Sequence, residues 1–289
     1  MMINRIMKDM MTYISRAFLA LAACAALFPP CATSQTVRGD FNMDGQVNVS
    51  DAVSMINCLL NSTFGELTPN DRDTLMLDGV PIVMVRVKAG TYSLRYGDVR
   101  TVASDFWIGQ TEVTYELWWA VMGRENYPSN EMLRHHAMEH VSWDECRVFL
   151  DSLNRLTGRN FRLPTTDEWI FAATGGKLTR GYDYSGGNDI GEVAWYQGNS
   201  SAGGSFTVAT KAPNELGLYD MCGNVAEWGQ EVNEFQESTT GNWVRIAWVH
   251  GGHWTSNADG CRPMSSILLD PATKYGTPCG LRLALSDGQ

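Results

Sequence analysis

The chain is organised around the stretch from Gly217 to Trp228, which reads G-L-Y-D-M-C-G-N-V-A-E-W. Apolar side chains alternate here with two carboxylates, Asp220 and Glu227, and with glycines that permit tight backbone turns. Two acids this close, separated by residues able to turn their carbonyls inward, suit a hard cation. Calcium takes oxygen ligands from carboxylates and backbone carbonyls in a flexible shell. The competing reading is a turn with a solvated Asp220 and with Glu227 paired to an arginine, since acids are common in turns.

At 289 residues the chain can bury one sizeable core plus a small module. Ten Trp, ten Tyr and 28 Gly against modest charge fit a compact, turn-rich domain and argue against disorder. A net charge of -10 disfavours a nucleic-acid partner, because phosphate binding needs clustered Lys and Arg. No phosphate cradle or dinucleotide fingerprint is present; Gly175-Gly176-Lys177 lacks the spacing and reads as a turn.

The first 34 residues read as a targeting leader. Arg5, Lys8 and Arg16 precede an apolar run, Ala17 to Phe28, too short to anchor a chain across a bilayer. Leu21-Ala22-Ala23-Cys24 resembles a bacterial lipobox, which would make Cys24 a lipidated N-terminus and the membrane contact a lipid anchor. The other cleavage reading is Ala32-Thr33-Ser34. Both place the mature protein outside the cytoplasm, as a periplasmic or cell-surface lipoprotein or a secreted protein. Five cysteines follow the leader, Cys58, Cys146, Cys222, Cys261 and Cys279, an odd number whose connectivity the sequence does not reveal.

Residues 35–78 read as a small calcium module and linker. Asp40, Asn42, Asp44, Asn48 and Asp51 stand at loop positions one, three, five, nine and twelve of an EF-hand-type loop. Gly45 takes the sharp turn and Gln46 contributes its carbonyl. The pattern resembles a dockerin repeat, which implies a cohesin-like partner. Dockerins carry two repeats and only one is found here, so pairing with the neighbouring domain or bracing the linker are the other roles. Asn61 to Thr74 reads as the boundary, and strand-like sequence follows from Val80 to Val87, with a hairpin signal at Ala89-Gly90. Glu116–Met122 and Trp143–Leu156 read as helices, the second ended by Gly158. Thr165 and Glu168 form the capping box of a third.

The motif at Gly217–Trp228 resembles the signature of the formylglycine-generating enzyme (sulfatase-modifying factor) family. Further matches fall in the same order: Trp107-Ile108-Gly109 with Thr111-Glu112-Val113-Thr114, Val141-Ser142-Trp143, Phe161-Arg162-Leu163-Pro164-Thr165 with Glu168-Trp169, Gly251-Gly252 with Trp254, and Gly280-Leu281-Arg282. The resemblance covers residues 79–286 and implies an α+β, C-type-lectin-like fold rich in loops. It also implies a calcium site built from the side chains of Asp220 and Glu227 and the carbonyls of Gly223 and Val225.

Family members that oxidise a sulfatase cysteine use two cysteines five apart, which a soft Cu(I) ion prefers. Here the first position is Ser256 and only Cys261 holds the second. His253 replaces the serine of the Gly-Gly-Ser element, and Ala226 replaces an aromatic. Copper and oxidase activity are therefore not expected, and Cys261 is catalytic only if the oxidase is active. His250 and His253 read as polar surface.

Between Gly-Gly-x-Trp and Gly-Leu-Arg, residues 255–277 are free to vary. The arrangement Ala258 to Arg262 with Pro271 resembles variable proteins of diversity-generating retroelements, in which adenine mutagenesis of Asn codons scatters side chains over a binding face. Thr255, Ser256, Asp259, Gly260, Ile267, Leu268, Leu269, Asp270, Thr273, Tyr275, Gly276 and Thr277 are all reachable from such a codon. With Trp254, this segment and its Ile-Leu-Leu run on a loop is the expected contact patch for a protein or glycan ligand. The expectation is an exported, monomeric, calcium-stabilised binding module. An active formylglycine-generating oxidase and a structural, dockerin-borne appendage are the alternatives.

Overall fold

The computed structural model describes residues 71–288, apart from 95–96, 125–130, 201–202, 238–240 and 275. Cys24, the stretch from Asp40 to Asp51 expected to form a calcium loop, Cys58 and Tyr275 lie outside the described residues. What is described is a mixed α+β domain. Its strands are β1 (Arg72–Leu77), β2 (Val80–Val87), β3 (Gly90–Ser93), β4 (Val99–Val102), β5 (Phe106–Gly109), β6 (Ala226–Gln236), β7 (Trp243–His250), β8 (Ser266–Leu269), β9 (Cys279–Gly280) and β10 (Ala284–Ser286). The helices used below are α1 (Tyr115–Met122), α2 (Trp143–Thr157) and α3 (Thr166–Ala173).

One sheet has the order β1-β2-β5-β10, a second β8-β7-β6-β9, and β3 pairs only with β4. β10, near the C-terminus, pairs antiparallel with β5, and Gly109 N–H donates to the Leu283 carbonyl. The C-terminal strand thereby completes the sheet built by β1, β2 and β5. The signature stretch enters β6, which runs antiparallel to β7 and parallel to β9, so Gly280-Leu281-Arg282 is delivered beside Glu227.

The helices follow their local chemistry. Ser142 and Glu145 cap α2 reciprocally, and Gly158 ends it in the left-handed conformation at φ 68. Cys146, Phe149, Leu150 and Leu153 recur on one face of α2 and are all buried. Trp118 of α1 stacks on Phe149 at 4.7 Å, anchoring the larger core cluster. Full burial of one such aromatic stabilises the fold by roughly 1.5–3 kcal/mol. Thr165 and Glu168 cap α3, as their spacing predicts.

Several expectations are corrected. Arg72–Leu77, read as part of the linker, is a strand: β1 pairs with β2 through a hairpin turning at Asp78-Gly79, with φ 48 and 83. Asp-Gly accepts two successive positive φ values, which is what a tight hairpin requires. Ala89-Gly90 makes no hairpin with β2, because Ala89 N–H donates to Asp105 and β3 pairs with β4 instead. In the second half of the domain β6 spans eleven residues and β7 eight. The Ile-Leu-Leu run is not a loop but β8, at the edge of its sheet.

Candidate functional site

The buried centre of the domain is polar. Arg282 is completely sealed from solvent, and its guanidinium reaches Glu227 by three bonds of 2.7–3.0 Å. The remaining donors go to the carbonyls of Gly109 and Tyr219. Trp169 of α3 donates its indole N–H to Glu227 Oε2 at 2.6 Å. Glu112 lies in the same cluster, accepting from Val225 N and Asn224 Nδ2. Residues from four dispersed motifs thus meet at one point. Glu227 is the arginine-paired acid of the competing reading.

Asp220 is not solvated; it is 2% exposed. Its Oδ2 accepts from Ala209 N at 2.7 Å, while Oδ1 is buried without a protein partner among the described residues. Burial, only partly offset by the Ala209 bond and Arg282, pushes its carboxyl up to about 6. Burial, together with the charges of Asp220 and Glu227, pushes Glu112 well above the usual carboxylate range. The orphaned Oδ1 of Asp220 fits a hard cation or a water. Glu227 fits less well, because Arg282 and Trp169 already cover both its oxygens. Among the described residues no three His, Cys, Asp or Glu side chains are grouped as a metal site.

His250 is fully buried, not polar surface. Its ring stacks on Trp169 at 5.1 Å, with Nδ1 2.8 Å from Ser266 Oγ and Nε2 3.4 Å from Thr166 Oγ1. Thr166 in turn donates to Glu231. This serine–histidine–threonine–glutamate line has the order of a catalytic relay. However, burial pushes the imidazole down to about 4, too weak a base at neutral pH, so it acts as a neutral strut between β7, β8 and α3.

At the copper position, Ser256 Oγ accepts from His253 N at 3.0 Å, and the Ser256 carbonyl accepts from Gln197 N. Cys261 is 0% exposed, packed with Tyr184, Val193, Ala194 and Cys222, and burial pushes its thiol up to about 12.

The expected contact segment divides in two. Thr255, Asp259 and Asp270 are exposed, and Ile267 and Leu268 remain 47% and 42% exposed on β8. Leu269 instead packs against the larger core, and Trp254 donates its indole N–H to Glu139 at 3.0 Å. Asp270 also accepts from Ala272 N, closing the turn after β8. Arg282, Glu112 and Trp169 carry the centre yet had no role assigned from sequence; a charged residue inside an apolar motif was the available signal.

Residues 81–286 match the family model described as "Sulfatase-modifying factor enzyme 1-like domain". The chain is 30% identical over 274 residues to "Chaperone protein LppX" of Paenibacillus barcinonensis, covering 78% of this chain and 93% of that protein. It is 32% identical over 132 residues to "Inactive C-alpha-formylglycine-generating enzyme 2" of Bos taurus, covering 42% of this chain and 39% of that protein. Among solved structures, Treponema denticola variable protein 1 superposes with a TM-score of 0.63 at 26% identity, covering 76% of this chain and 100% of the other.

Proposed function

We propose, on the premise that the chain belongs to the sulfatase-modifying factor enzyme 1-like family, that it is an exported member that binds a ligand and does not oxidise cysteine. The observation that carries this reading is at the copper position. A hydroxyl, Ser256, stands where one thiolate is needed and is held in a local turn by His253 N–H. The remaining thiol, Cys261, is sealed among Tyr184, Val193 and Cys222. One buried thiol and one hydroxyl make a poor Cu(I) site, which wants two thiolates. A relative named as an inactive enzyme supports the same direction. Competition for Cu(I) against a chelator tests it: the reduced protein should lose to the chelator, and the Ser256→Cys variant should compete better.

The ligand side rests on Met264, Ile267 and Leu268, which are 38%, 47% and 42% exposed on and just before an edge strand. Exposed apolar side chains at a sheet edge, in the same segment as the exposed polar Thr255, Asp259 and Asp270, suit a protein or glycan surface. Diversification of residues 255–277 belongs to the same proposal, supported by likeness to a protein titled variable. Its test is on DNA: a nearby template repeat differing only at adenines is expected, and no such repeat removes the diversification claim.

Calcium enters the proposal as the ion that would satisfy Asp220 Oδ1, with the Gly223 and Val225 carbonyls of the family's set; Glu227, the set's fourth member, would have to share its oxygens with Arg282 and Trp169. A second calcium is proposed for the loop from Asp40 to Asp51, with a cohesin-like protein as that module's partner. Export, by lipidation at Cys24 or by plain secretion, is proposed from the leader. No helix among the described residues is long and apolar enough to cross a membrane.

A further inference from the structure

Four of the five cysteines after the leader are among the described residues, and all four are buried and free. They are not scattered. Cys146 and Cys279 belong to the larger core cluster, Cys222 and Cys261 to a small satellite cluster with Tyr184, Val193 and Ala194.

Each pair is brought together by backbone bonds on both sides. Val141 N–H donates to the Cys279 carbonyl, Trp143 N–H to Pro271, and Lys274 reaches Glu145 at 2.6 Å. The chain before Cys279 therefore wraps the first turn of α2, where Cys146 lies. On the other side, Gly223 N–H donates to Gly251, and Trp254 N–H to Asn224. A β-carbon on Gly252 would lie 3.1 Å from Cys261 Sγ, so Cys261 packs on the segment bonded to the residue after Cys222. Within each pair the sulfurs are near enough that ionising one disfavours ionising the other.

We propose that these four thiols are two matched pairs, Cys146 with Cys279 and Cys222 with Cys261, each closing a disulfide when the folding chain meets a disulfide-bearing exchange partner. One cysteine thiolate attacks a sulfur of the partner's disulfide and releases one partner thiol. The second cysteine attacks the mixed disulfide and releases the other. Two protein S–H bonds become one S–S bond, and two electrons and two protons leave with the partner as its two thiols. Because all four sulfurs are sealed in the finished fold, the exchange belongs to the chain before its cores close.

The consequence lies in the segment between them. Residues 262–278, with Ile267 and Leu268, are flanked by Cys261 on one side and Cys279 on the other, so both crosslinks brace the frame of the exposed strand. The pairing itself does not depend on the binding reading; only this consequence does.

The test uses the full chain, unfolded in reductant and refolded in a mixture of glutathione and its disulfide. The product is quenched in acid, alkylated and digested without reduction for mass spectrometry. The expected map joins the Cys146 peptide to the Cys279 peptide and the Cys222 peptide to the Cys261 peptide, each lighter by two hydrogens than the separate thiols. Replacing Cys222 by Ala should free Cys261 alone to alkylation and leave the other crosslink in place. A pair recovered as alkylated thiols, or any one of the four joined to a different cysteine, overturns that assignment. The wild-type map decides the matter even where a variant fails to fold.

Discussion

Arg282 and Glu227, 55 residues apart in sequence, form an ion pair with 0% and 1% of their side chains exposed, joined at 2.7 Å. The pair binds the end of the domain to the start of β6, and Glu112 and Asp220 crowd two further carboxyl groups into the same dry space. Breaking a buried pair by removing one partner leaves an uncompensated charge.

Arg282→Met should therefore destabilise the domain by about 3–5 kcal/mol. Replacing Glu227 with Leu in the same protein should recover part of that loss. Urea denaturation of the single and double variants measures it. An Arg282→Met midpoint equal to the wild type would show that the pair is not structural.

Much of this arrangement was legible in advance, and the rest was not, for physical reasons. Helices α2 and α3 were readable because their caps are local: Ser142 with Glu145, and Thr165 with Glu168, sit three residues apart. The Asp78-Gly79 hairpin was equally local, but its neighbours resembled a polar linker and hid it. The Arg282–Glu227–Trp169 centre is non-local, and sequence spacing carries no information on which acid meets which base. His250 looked like surface because polarity alone does not reveal a stacking partner such as Trp169.

His250 gives a pH dependence. Burial lowers its pKa from the ordinary 6.5 to about 4, so between these values the unfolded chain holds more protons than the fold. Its contribution is complete above about 6.5 and is lost as pH falls toward 4, a swing of roughly 2–4 kcal/mol. Asp220, raised from 3.8 to about 6, runs the opposite way, its stability being present at low pH and lost as pH rises through that range. The difference between wild type and His250→Gln isolates the histidine. Stability curves of equal slope for the two proteins between those values would contradict the burial argument.

Calcium removal is expected to lower the melting temperature by linkage. The chelator response from the C-terminal domain should vanish in Asp220→Ala, whose wild-type Oδ1 is the buried oxygen without a protein partner. Melting curves with and without chelator check this, and identical curves in wild-type protein remove the ion from the account. For the loop from Asp40 to Asp51, calorimetry on residues 35–78 should show calcium binding, weak at about the millimolar level typical of extracellular modules.

The division of the contact segment predicts unequal costs. Ile267→Ser with Leu268→Ser should change stability by less than about 1 kcal/mol, because both side chains are exposed at the sheet edge. Leu269→Ala should cost about 2 kcal/mol, since it packs against the core containing Ala247 and Val249. Thermal or urea unfolding separates the two, and equal losses would mean that the β8 side chains are not arranged as described.

The central claim, that this chain has the family's domain without the family's oxidation, meets its most direct test in one assay. The reduced protein is loaded with copper and incubated in air with a peptide carrying a sulfatase-type cysteine, and the peptide mass is followed. An unchanged mass is expected, because Ser256 cannot supply the second thiolate beside the sealed Cys261. Appearance of the formylglycine mass would contradict it and restore the oxidase reading.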